Sequence, residues 1–393
     1  MSGESGLRVL HVAQSSEYGL GRYLADLVDE QLRAGWQVAV AGDPASEVRT
    51  RVVAAGGAWV AWAASRQPGP SVVGETQALG RVIDALAPDV VHLHSSKAGL
   101  AGRLAMRGTR PTIFQPHAWS FFAVTGVRRP LTVWWERLGA RWAHAVLCVS
   151  EDERVQGQAA GIKARFHVVP TGVDTELFQP GPAVEARRRL GLDEAPTAVC
   201  VGRLAVSQKG QDLLVAAWPE VAARVPGARL VLVGDGPDRA SLEAAAAPLV
   251  PAAPLVQFVG RQDNVVSWYQ AADVVVQPSR YEGLSLTVLE AMACGRPVVA
   301  GDAVGMGETI GDAGQVVPVG DVPALAEAVA VRLADPRRAA QEGGAARLRV
   351  HDRASRRRWA EGVLALTAHL ADFSTAPAAV EKRGVLRPRG PWR

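Results

Sequence analysis

The chain has 393 residues, 48% of them hydrophobic and 21% charged, so it is long enough for two or three domains and lacks the composition of a disordered protein. Its net charge of only +4 argues against a nucleic-acid-binding protein, and its three well-separated cysteines, with no CxxC pair, argue against a disulfide framework or a zinc site. No secretory signal is visible and no apolar run approaches the ~18 to 20 residues that span a bilayer, so we expect a cytoplasmic protein.

Short β-branched segments alternate with segments of helical periodicity over the first 170 residues, which predicts a parallel sheet covered by helices. The clearest helix runs from about Leu20 to Ala34 and ends at Gly35. A Pro- and Gly-containing stretch over 170–184 then predicts a connection between two lobes. The predicted strands of this first half are 7–13, 36–41, 59–63, 89–94, 112–115, 145–150 and 166–169.

The same alternation restarts after the connection, which predicts a second α/β domain. Two helices are expected from Pro323 to about Arg347, and a last helix from about Ala354 to Leu370. The predicted strands of this half are 197–202, 228–234, 255–260, 273–278, 297–300 and 315–319. The fold class is therefore α/β, with two doubly wound Rossmann-like domains, and such domains bind ligands at the carboxyl ends of their strands.

This organisation predicts four segments along the chain. They are an N-terminal domain at 1–180, a second domain at 181–353, a C-terminal helix at 354–373 and a flexible basic tail at 374–393. Chemistry is expected in the loops that lead from strands into helices.

The most informative motif is PSRYEGLSLTVLEAMACGRPVVA at 278–300, where a strand ends, a loop follows and a helix begins at about Leu284. Glu282 would lie in the loop and Glu290 about two turns into the helix, so both carboxylates are candidates to contact a ligand at the helix N-terminus. The free amides of Gly283, Leu284 and Ser285 would form an anion site there. In the alternative reading, Glu282 only caps the helix and Glu290 is a solvated charge.

Two cations flank another strand-to-helix loop, in VGRLAVSQKGQDLLVAAW at 201–218. Arg203 and Lys209 would neutralise a diphosphate leaving group without a metal ion, although both could be ordinary surface charges. No Asp-x-Asp occurs in the chain, so a metal-carboxylate clamp has no obvious ligands.

Two features of the first half also fall at a predicted ligand edge. His117 directly follows a strand and could donate to a sugar hydroxyl, or it could be a structural histidine. Gly19 and Gly21, in a loop entering a helix, begin a GxGxxG pattern that fails at Leu24. A dinucleotide site also needs an acidic residue at the end of the second strand, and Asp43 lies two residues beyond that end. A dinucleotide site is therefore disfavoured, but the two glycines still allow close backbone approach.

The segment 118–146 concentrates aromatic and arginine side chains, and from Leu131 to Trp142 its apolar positions follow helical spacing. Packing of this helix on its own sheet is one interpretation. The other is peripheral contact with an anionic membrane or a lipid-linked acceptor, to which the basic tail at 383–393 could contribute.

These motifs together resemble those of the retaining glycosyltransferases of family 4, which have the GT-B fold. The resemblance runs from residue 7 to about 370, and its most specific block is YEGLSLTVLEAMACGRPVV at 281–299. Thr171 departs from the family, which commonly has Asn there, and Ala118 stands where many relatives have Gly after the His. Further motifs match in order: VGRL and QKGQDLL, LVLVGDGP at 230–237, VVPTGVDTELF at 168–178, FVGRQDN at 258–264 and VGMGETI at 304–310.

The resemblance implies that the two domains face each other across a crevice, with the C-terminal helix returning to the N-terminal domain. It implies a nucleotide-sugar donor in the C-terminal domain and an acceptor on the N-terminal side, brought together by domain closure. His117 and the Gly19–Gly21 loop would close over the transferred sugar, and His117 and Glu282 are the candidate catalytic residues. The implied donor contacts are Arg203 and Lys209 on the diphosphate, Glu290 on the ribose, Arg261 beside the base, and Glu282 with the amides of Gly283, Leu284, Ser285 and Leu286 on the sugar and phosphate.

We therefore expect a metal-independent, retaining hexosyltransferase in which the leaving phosphate accepts the acceptor's proton. It would need no cofactor beyond its nucleotide-sugar co-substrate and would act in polysaccharide or glycoconjugate biosynthesis, with peripheral contact at the inner face of the membrane as a further expectation. A saccharide, a lipid-linked saccharide and a small molecule all remain open as acceptors, and so do the donor base and sugar. The alternatives are a non-catalytic nucleotide-sugar or carbohydrate binding protein of the same fold and, disfavoured, an NAD-dependent oxidoreductase.

Overall fold

The computed structural model describes residues 6–14, 18–65, 69–249, 256–283 and 285–375. Internal contacts divide the chain into two units. The first unit comprises the residues up to Val169 together with those from Ala360 onward, and the second unit is Pro170–Trp359. The buried side chains of each unit form apolar cores on the two faces of a parallel sheet.

The first unit contains seven strands in the order β3-β2-β1-β4-β5-β6-β7, all parallel. The order reverses between β1 and β4, which places a ligand-binding position at the carboxyl ends of those two strands. The strands are β1 (Arg8–Ala13), β2 (Gln37–Gly42), β3 (Ala58–Ala61), β4 (Val90–His94), β5 (Thr112–Gln115), β6 (Ala145–Cys148) and β7 (Phe166–Val168). The helices are α1 (Tyr18–Arg33), α2 (Val48–Ala54), α3 (Val72–Leu86), α4 (Ser95–Met106), α5 (Arg128–Gly139) and α6 (Glu151–Ala159).

The second unit has six parallel strands in the order β10-β9-β8-β11-β12-β13, so its reversal lies between β8 and β11. The strands are β8 (Thr197–Val201), β9 (Arg229–Val233), β10 (Val256–Gly260), β11 (Val274–Gln277), β12 (Val298–Gly301) and β13 (Gly314–Val317). The helices are α7 (Ala183–Arg189), α8 (Val206–Lys209), α9 (Gln211–Arg224), α10 (Arg239–Ala246), α11 (Val266–Ala271), α12 (Leu286–Ala293), α13 (Met306–Ile310), α14 (Val322–Ala334), α15 (Pro336–Arg353) and α16 (Arg356–Thr375), the last of which continues into the first unit.

Two glycines allow the loops at this reversal to approach each other. Gly234 has a φ of +143°, and a Cβ on it would lie 1.9 Å from the carbonyl oxygen of Gly202. A Cβ on Gly210 would lie 2.1 Å from the carbonyl oxygen of Pro278. Only glycine therefore permits the loops after β8, β9 and β11 to pack at these distances.

The thirteen predicted strands are confirmed, each within two residues of its expected bounds. Three local expectations need correction. Gly19 and Gly21 lie in the first turn of α1 rather than in a loop, the helix expected from Leu284 begins at Leu286, and Glu290 is therefore little more than one turn into it. The predicted tail falls outside the described residues from 376 onward. Within the described residues, no helix combines the length and the apolar character needed to cross a membrane.

Candidate active site

The loop after β11 carries Glu282, which lies against the cation at the end of α8. The Nζ of Lys209 donates to Oε1 of Glu282 at 2.5 Å, and Oγ of Ser279 donates to the same oxygen at 2.8 Å. Nε2 of Gln277 donates in turn to Ser279 Oγ at 2.9 Å. Glu282 is only 6% exposed, so this carboxylate is held by an ion pair and a hydroxyl rather than capping the helix in open solvent. Two of the predicted site residues are thus in direct contact.

Glu290 is also buried, at 4% exposure. Its Oε2 accepts a hydrogen bond of 2.7 Å from the phenol of Tyr269 on α11. The alternative reading of Glu290 as a solvated helix charge is therefore wrong. Tyr269, which was not predicted as a site residue, fixes the orientation of this carboxylate.

The N-terminus of α12 lies between these two carboxylates in sequence. Ser285 precedes the helix in an extended conformation, and its buried Oγ has no hydrogen-bond partner among the described residues. The first amides of a helix lack intrahelical acceptors and, with the helix dipole, favour an anion. Leu286 is the first helical residue and Gly283 lies in the preceding bend, whereas Leu284 lies outside the described residues. This end of α12 therefore presents donors that an anionic ligand would satisfy.

An additional arginine, which sequence reasoning missed, ties the loop after β11 to α8 and α9. Both terminal nitrogens of Arg280 donate to Asp212 at 2.7 Å, and one also donates to the carbonyl of Val206 at 2.6 Å. Burial acts to raise the pKa of Asp212, but the guanidinium of Arg280 holds that pKa below its usual value. The pair fixes the two loops that carry Lys209 and Glu282 relative to each other.

Two further predicted donor residues, Arg203 and Arg261, lie at the carboxyl edge of the same sheet. Arg203 follows β8, and its carbonyl accepts a hydrogen bond of 2.8 Å from Nε2 of the buried Gln211. Arg261 is exposed in the loop after β10. His117, Gly19 and Gly21 belong to the first unit.

His117 lies after β5 in a strained backbone segment. Its φ is +53° and that of Ala118 is +91°, and positive φ values of this size favour glycine. Alanine at position 118 therefore carries a conformational cost. Glu153 stabilises the segment, because Oε1 accepts from the amide of Ala118 at 2.7 Å and Oε2 from that of Val149 at 2.8 Å. Burial raises the pKa of Glu153 to about 7 against these two hydrogen bonds. The loop is therefore held by one internal carboxylate.

Three fully buried histidines extend inward from His117, and sequence reasoning did not identify them. His11 lies on β1, while His92 and His94 lie on β4, with ligand nitrogens of the three within 4.8 Å of one another. Burial lowers the pKa of His11 to about 4 and of His117 to about 3, and it lowers those of His92 and His94 well below the usual value. The available signal was the His-x-His spacing in an otherwise apolar strand, which places both imidazoles on one face.

Two parallel-sheet α/β units, with buried carboxylates, cations and helix amides in strand-to-helix loops of the second unit, are typical of glycosyltransferases with the GT-B fold. Comparisons with known proteins agree. The family profile described as Glycosyltransferase Family 4 matches residues 18–177, and that described as Glycosyl transferases group 1 matches residues 195–335. The chain therefore belongs to glycosyltransferase family 4 and is a glycosyltransferase.

Individual relatives support this assignment. The GDP-mannose-dependent alpha-(1-6)-phosphatidylinositol monomannoside mannosyltransferase of Mycolicibacterium smegmatis is 40% identical over 268 residues, which are 63% of this chain and 68% of that protein. The Mycobacterium tuberculosis protein of the same name is 41% identical over 228 residues, 55% of this chain, and the match spans only 57% of its length. Sucrose-phosphate synthase from Thermosynechococcus elongatus has the same fold, with a TM-score of 0.79, 25% identity, and coverage of 94% of this chain and 99% of that one.

Proposed function

We propose that the protein transfers a hexosyl group from a nucleoside-diphosphate sugar with retention at the anomeric carbon and without a metal ion. The observation that carries this proposal is the ion pair between the partly buried Lys209 and the buried Glu282 in the loop before α12, with Ser285 Oγ unsatisfied among the described residues. A cation, helix amides and a hydroxyl would neutralise charge as it develops on a diphosphate leaving group. The family resemblance supports retention, with the leaving phosphate accepting the proton of the acceptor.

The second unit's residues contact different parts of the donor in this proposal. Arg203 and Lys209 would contact the diphosphate, and the Glu290 carboxylate, oriented by Tyr269, would accept hydrogen bonds from ribose hydroxyls. Glu282, held by Lys209, would accept from a hydroxyl of the sugar. We take GDP-mannose as the first candidate donor, because the two mycobacterial relatives are named for it.

GDP in the presence of EDTA should raise the melting temperature of the wild-type protein. A ligand at ~100 times its dissociation constant stabilises the native state by about 2.7 kcal/mol, which is several degrees for a domain of this size. Arg203→Ala and Lys209→Ala should lose most of this shift, since each removes a cation from the diphosphate. Differential scanning fluorimetry with GDP, UDP, ADP, CDP and NAD measures the shifts.

The matched control is Arg224→Ala, which removes an exposed arginine that pairs with Glu220 on the same helix and should leave the GDP shift unchanged. With EDTA, donor and acceptor present, the one-bond carbon–proton coupling at the new anomeric centre should show the configuration of the donor. A folded protein that responds to NAD alone, or to no nucleotide, would contradict the proposal. Activity that returns only when a divalent metal is restored would contradict metal independence.

We also infer that the first unit contacts an anionic membrane surface or the lipid part of an acceptor through α5. Leu131 and Trp134, expected on the apolar face of this helix, are 64% and 58% exposed. The buried residues of α5 are Glu136 and Gly139 instead. A cavity of 530 Å³ beside Trp134 is lined by Phe121, Phe122, Arg129, Pro130, Val133, Trp134, Arg137, Gln156, Ala159 and Ala160. Apolar side chains with arginines around them are typical of interfacial helices.

Replacing Leu131 and Trp134 together by Ser should reduce retention of the protein by vesicles of phosphatidylglycerol and phosphatidylcholine about tenfold, since two exposed apolar side chains would no longer enter the interface. Cosedimentation at low salt measures the retained fraction. The control is Leu348→Ser, which removes a side chain of similar exposure, 69%, from the second unit and should change nothing. Equal retention of both variants and wild type would show that α5 does not bind the surface.

A further inference from the structure

A buried hydroxyl lies directly against the carboxylate of Glu282. Oγ of Ser279 is 2.8 Å from Oε1 of Glu282, and Ser279 is 0% exposed. On its other side, the same oxygen is 2.9 Å from Nε2 of Gln277, the last residue of β11. All three residues belong to the second unit, so these contacts lie within a single unit.

The charge on Glu282 fixes the direction of the hydrogen bond from Ser279. Nζ of Lys209 lies 2.5 Å from the same Oε1, and a carboxylate in an ion pair has no proton to donate. A charged oxygen is also a stronger acceptor than the oxygen of a neutral amide. Whichever way the side-chain amide of Gln277 is turned, the one proton of the Ser279 hydroxyl therefore goes to Glu282.

The two donors hold the same oxygen of the carboxylate and differ in stiffness. Oε1 of Glu282 accepts from Ser279 and from Lys209, whereas Oε2 has no hydrogen bond from any residue that the structure describes. The ammonium of Lys209 is at the end of a flexible four-carbon chain, so it can follow a carboxylate that turns. The short, buried side chain of Ser279 cannot follow it. Ser279 is therefore the contact that restricts rotation of this carboxylate.

We propose that Ser279 is a positioning residue that holds Oε1 of Glu282 beside Lys209, so that Oε2 accepts a hydrogen bond from a hydroxyl of the donor sugar. The contact between Ser279 and Glu282 follows from the structure alone, whereas the sugar hydroxyl rests on the proposed function. An acceptor that is oriented before the ligand arrives loses less conformational freedom on binding than one that turns freely. This benefit applies to the nucleotide sugar and not to the nucleoside diphosphate, which has no sugar hydroxyl at this position.

Ser279→Ala should weaken the binding of GDP-mannose about tenfold and change the binding of GDP by less than about twofold. The reason is that a carboxylate free to turn loses much of its charge-assisted hydrogen bond to the sugar. Isothermal titration calorimetry measures both affinities. The matched control is Thr197→Val, which removes another fully buried hydroxyl at the opposite, amino edge of the same sheet. This hydroxyl donates to the carbonyl of Ala195, so its loss should leave both affinities unchanged.

A double-mutant cycle with Glu282 separates positioning of the carboxylate from general support of the loop. In a Glu282→Ala background there is no carboxylate to orient, so adding Ser279→Ala should change the affinity for GDP-mannose by less than about twofold. If Ser279 acted on the loop as a whole, its tenfold loss would recur in that background. A recurring loss would overturn the proposal, and so would a Ser279→Ala variant that binds GDP-mannose as tightly as wild type does.

Unfolding in urea without ligand distinguishes failure of this inference from failure of the proposed function. Ser279→Ala should lower the folding equilibrium constant about tenfold in the wild-type background, because it removes a hydrogen bond to a charged group. In the Glu282→Ala background the loss should be about threefold or less. If the wild type binds no nucleoside diphosphate, the proposed function fails, and this cycle still decides whether Ser279 holds the carboxylate. If the wild type binds GDP-mannose but the losses are equal in the two backgrounds, the role of Ser279 alone fails.

Discussion

Lowering the pH from 7 towards 5 is expected to reduce the free energy of unfolding of the first unit steeply. An unfolded histidine binds a proton near pH 6.5, whereas folded His11 does so only near 4 and folded His117 near 3. His92 and His94 also titrate well below 6.5 in the folded protein. Stability from these groups is therefore present above pH 6.5 and is lost as the pH falls, since the unfolded chain binds up to four more protons.

One buried carboxylate acts in the opposite direction. Burial raises the pKa of Glu153 to about 7, so the folded state holds this proton where the unfolded state does not, and stability from Glu153 increases as the pH falls from 7 to 4.5. Near pH 5, unfolding lets these four histidines take up about four protons and makes Glu153 release about one. This net uptake of about three protons predicts that the free energy of unfolding changes by about 4 kcal/mol per pH unit. Urea unfolding followed by tryptophan fluorescence at several pH values measures the slope.

His92→Asn should reduce this slope by about 1.4 kcal/mol per pH unit, because it removes one of the protons taken up on unfolding. His351 is exposed on α15, so His351→Asn is the control and should leave the slope of the first unit unchanged. If His92→Asn also lowers the free energy of unfolding by the same amount at every pH, that loss does not change the slope. A slope near zero between pH 6 and 5 in the wild type would contradict the assignment of neutral, buried histidines.

The strands were predictable because the sequence carries the physical signature of a buried parallel sheet. Strands such as Val274–Gln277 and Arg229–Val233 are short apolar runs flanked by turn residues, as expected where helices cover both faces. Helix ends were less certain, and the first turn of α1 extends through Gly19 and Gly21 despite their low helix propensity. Packing of the rest of α1 outweighs that local cost.

Part of the donor site was predictable from the same logic. Glu282 follows β11 and Lys209 follows β8, the two strands between which the strand order reverses. Their shared sheet edge brings the two residues together across 73 positions of sequence. The identity of each contact was not predictable. Which cation pairs with which carboxylate depends on loop packing, and the structure pairs Arg280 with Asp212, which no local pattern indicates.

His11, His92 and His94 escaped sequence reasoning for a different reason. Each histidine on its own is most simply a structural residue, and only the strand order places them together. His11 and His92 are partners in the register of β1 and β4, which are 81 positions apart in sequence, and His94 lies one alternation further along the same face. A His-x-His in a buried strand is therefore a signal worth testing against the predicted neighbouring strand.

Helix α5 shows how a buried charge overrides an apolar pattern. The spacing of apolar residues predicted the buried face, but the helix buries Glu136, whose Oε2 accepts from Arg103 of α4 at 2.8 Å with both side chains 1% exposed. Ser120 donates to the other carboxylate oxygen at 2.8 Å, and the guanidinium lies 3.9 Å from the ring centre of Phe114. The ion pair therefore anchors α5 and leaves Leu131 exposed.

Arg103→Met is expected to lower the free energy of unfolding by about 3 to 5 kcal/mol, because it leaves the carboxylate of Glu136 buried without its cation. Urea unfolding at pH 7.5 measures the loss. The double variant Arg103→Met/Glu136→Leu should recover most of it, since apolar side chains of similar volume replace both charges. Arg224→Met, which breaks an exposed pair with Glu220, is the control and should cost about 0.5 kcal/mol or less.

The same variants test whether vesicle binding by α5 depends on the Arg103–Glu136 ion pair itself or only on α5 being held in place. If α5 contacts lipid through Leu131 and Trp134, the double variant should retain the protein on anionic vesicles as well as wild type does, because the helix is again held with these side chains exposed. Arg103→Met alone should bind with weaker salt dependence, since a loosened α5 exposes further apolar surface, whose burial salt does not screen. A cost below about 1 kcal/mol for Arg103→Met would show that Glu136 does not need its cation, and the ion pair would then not determine which face of α5 is free.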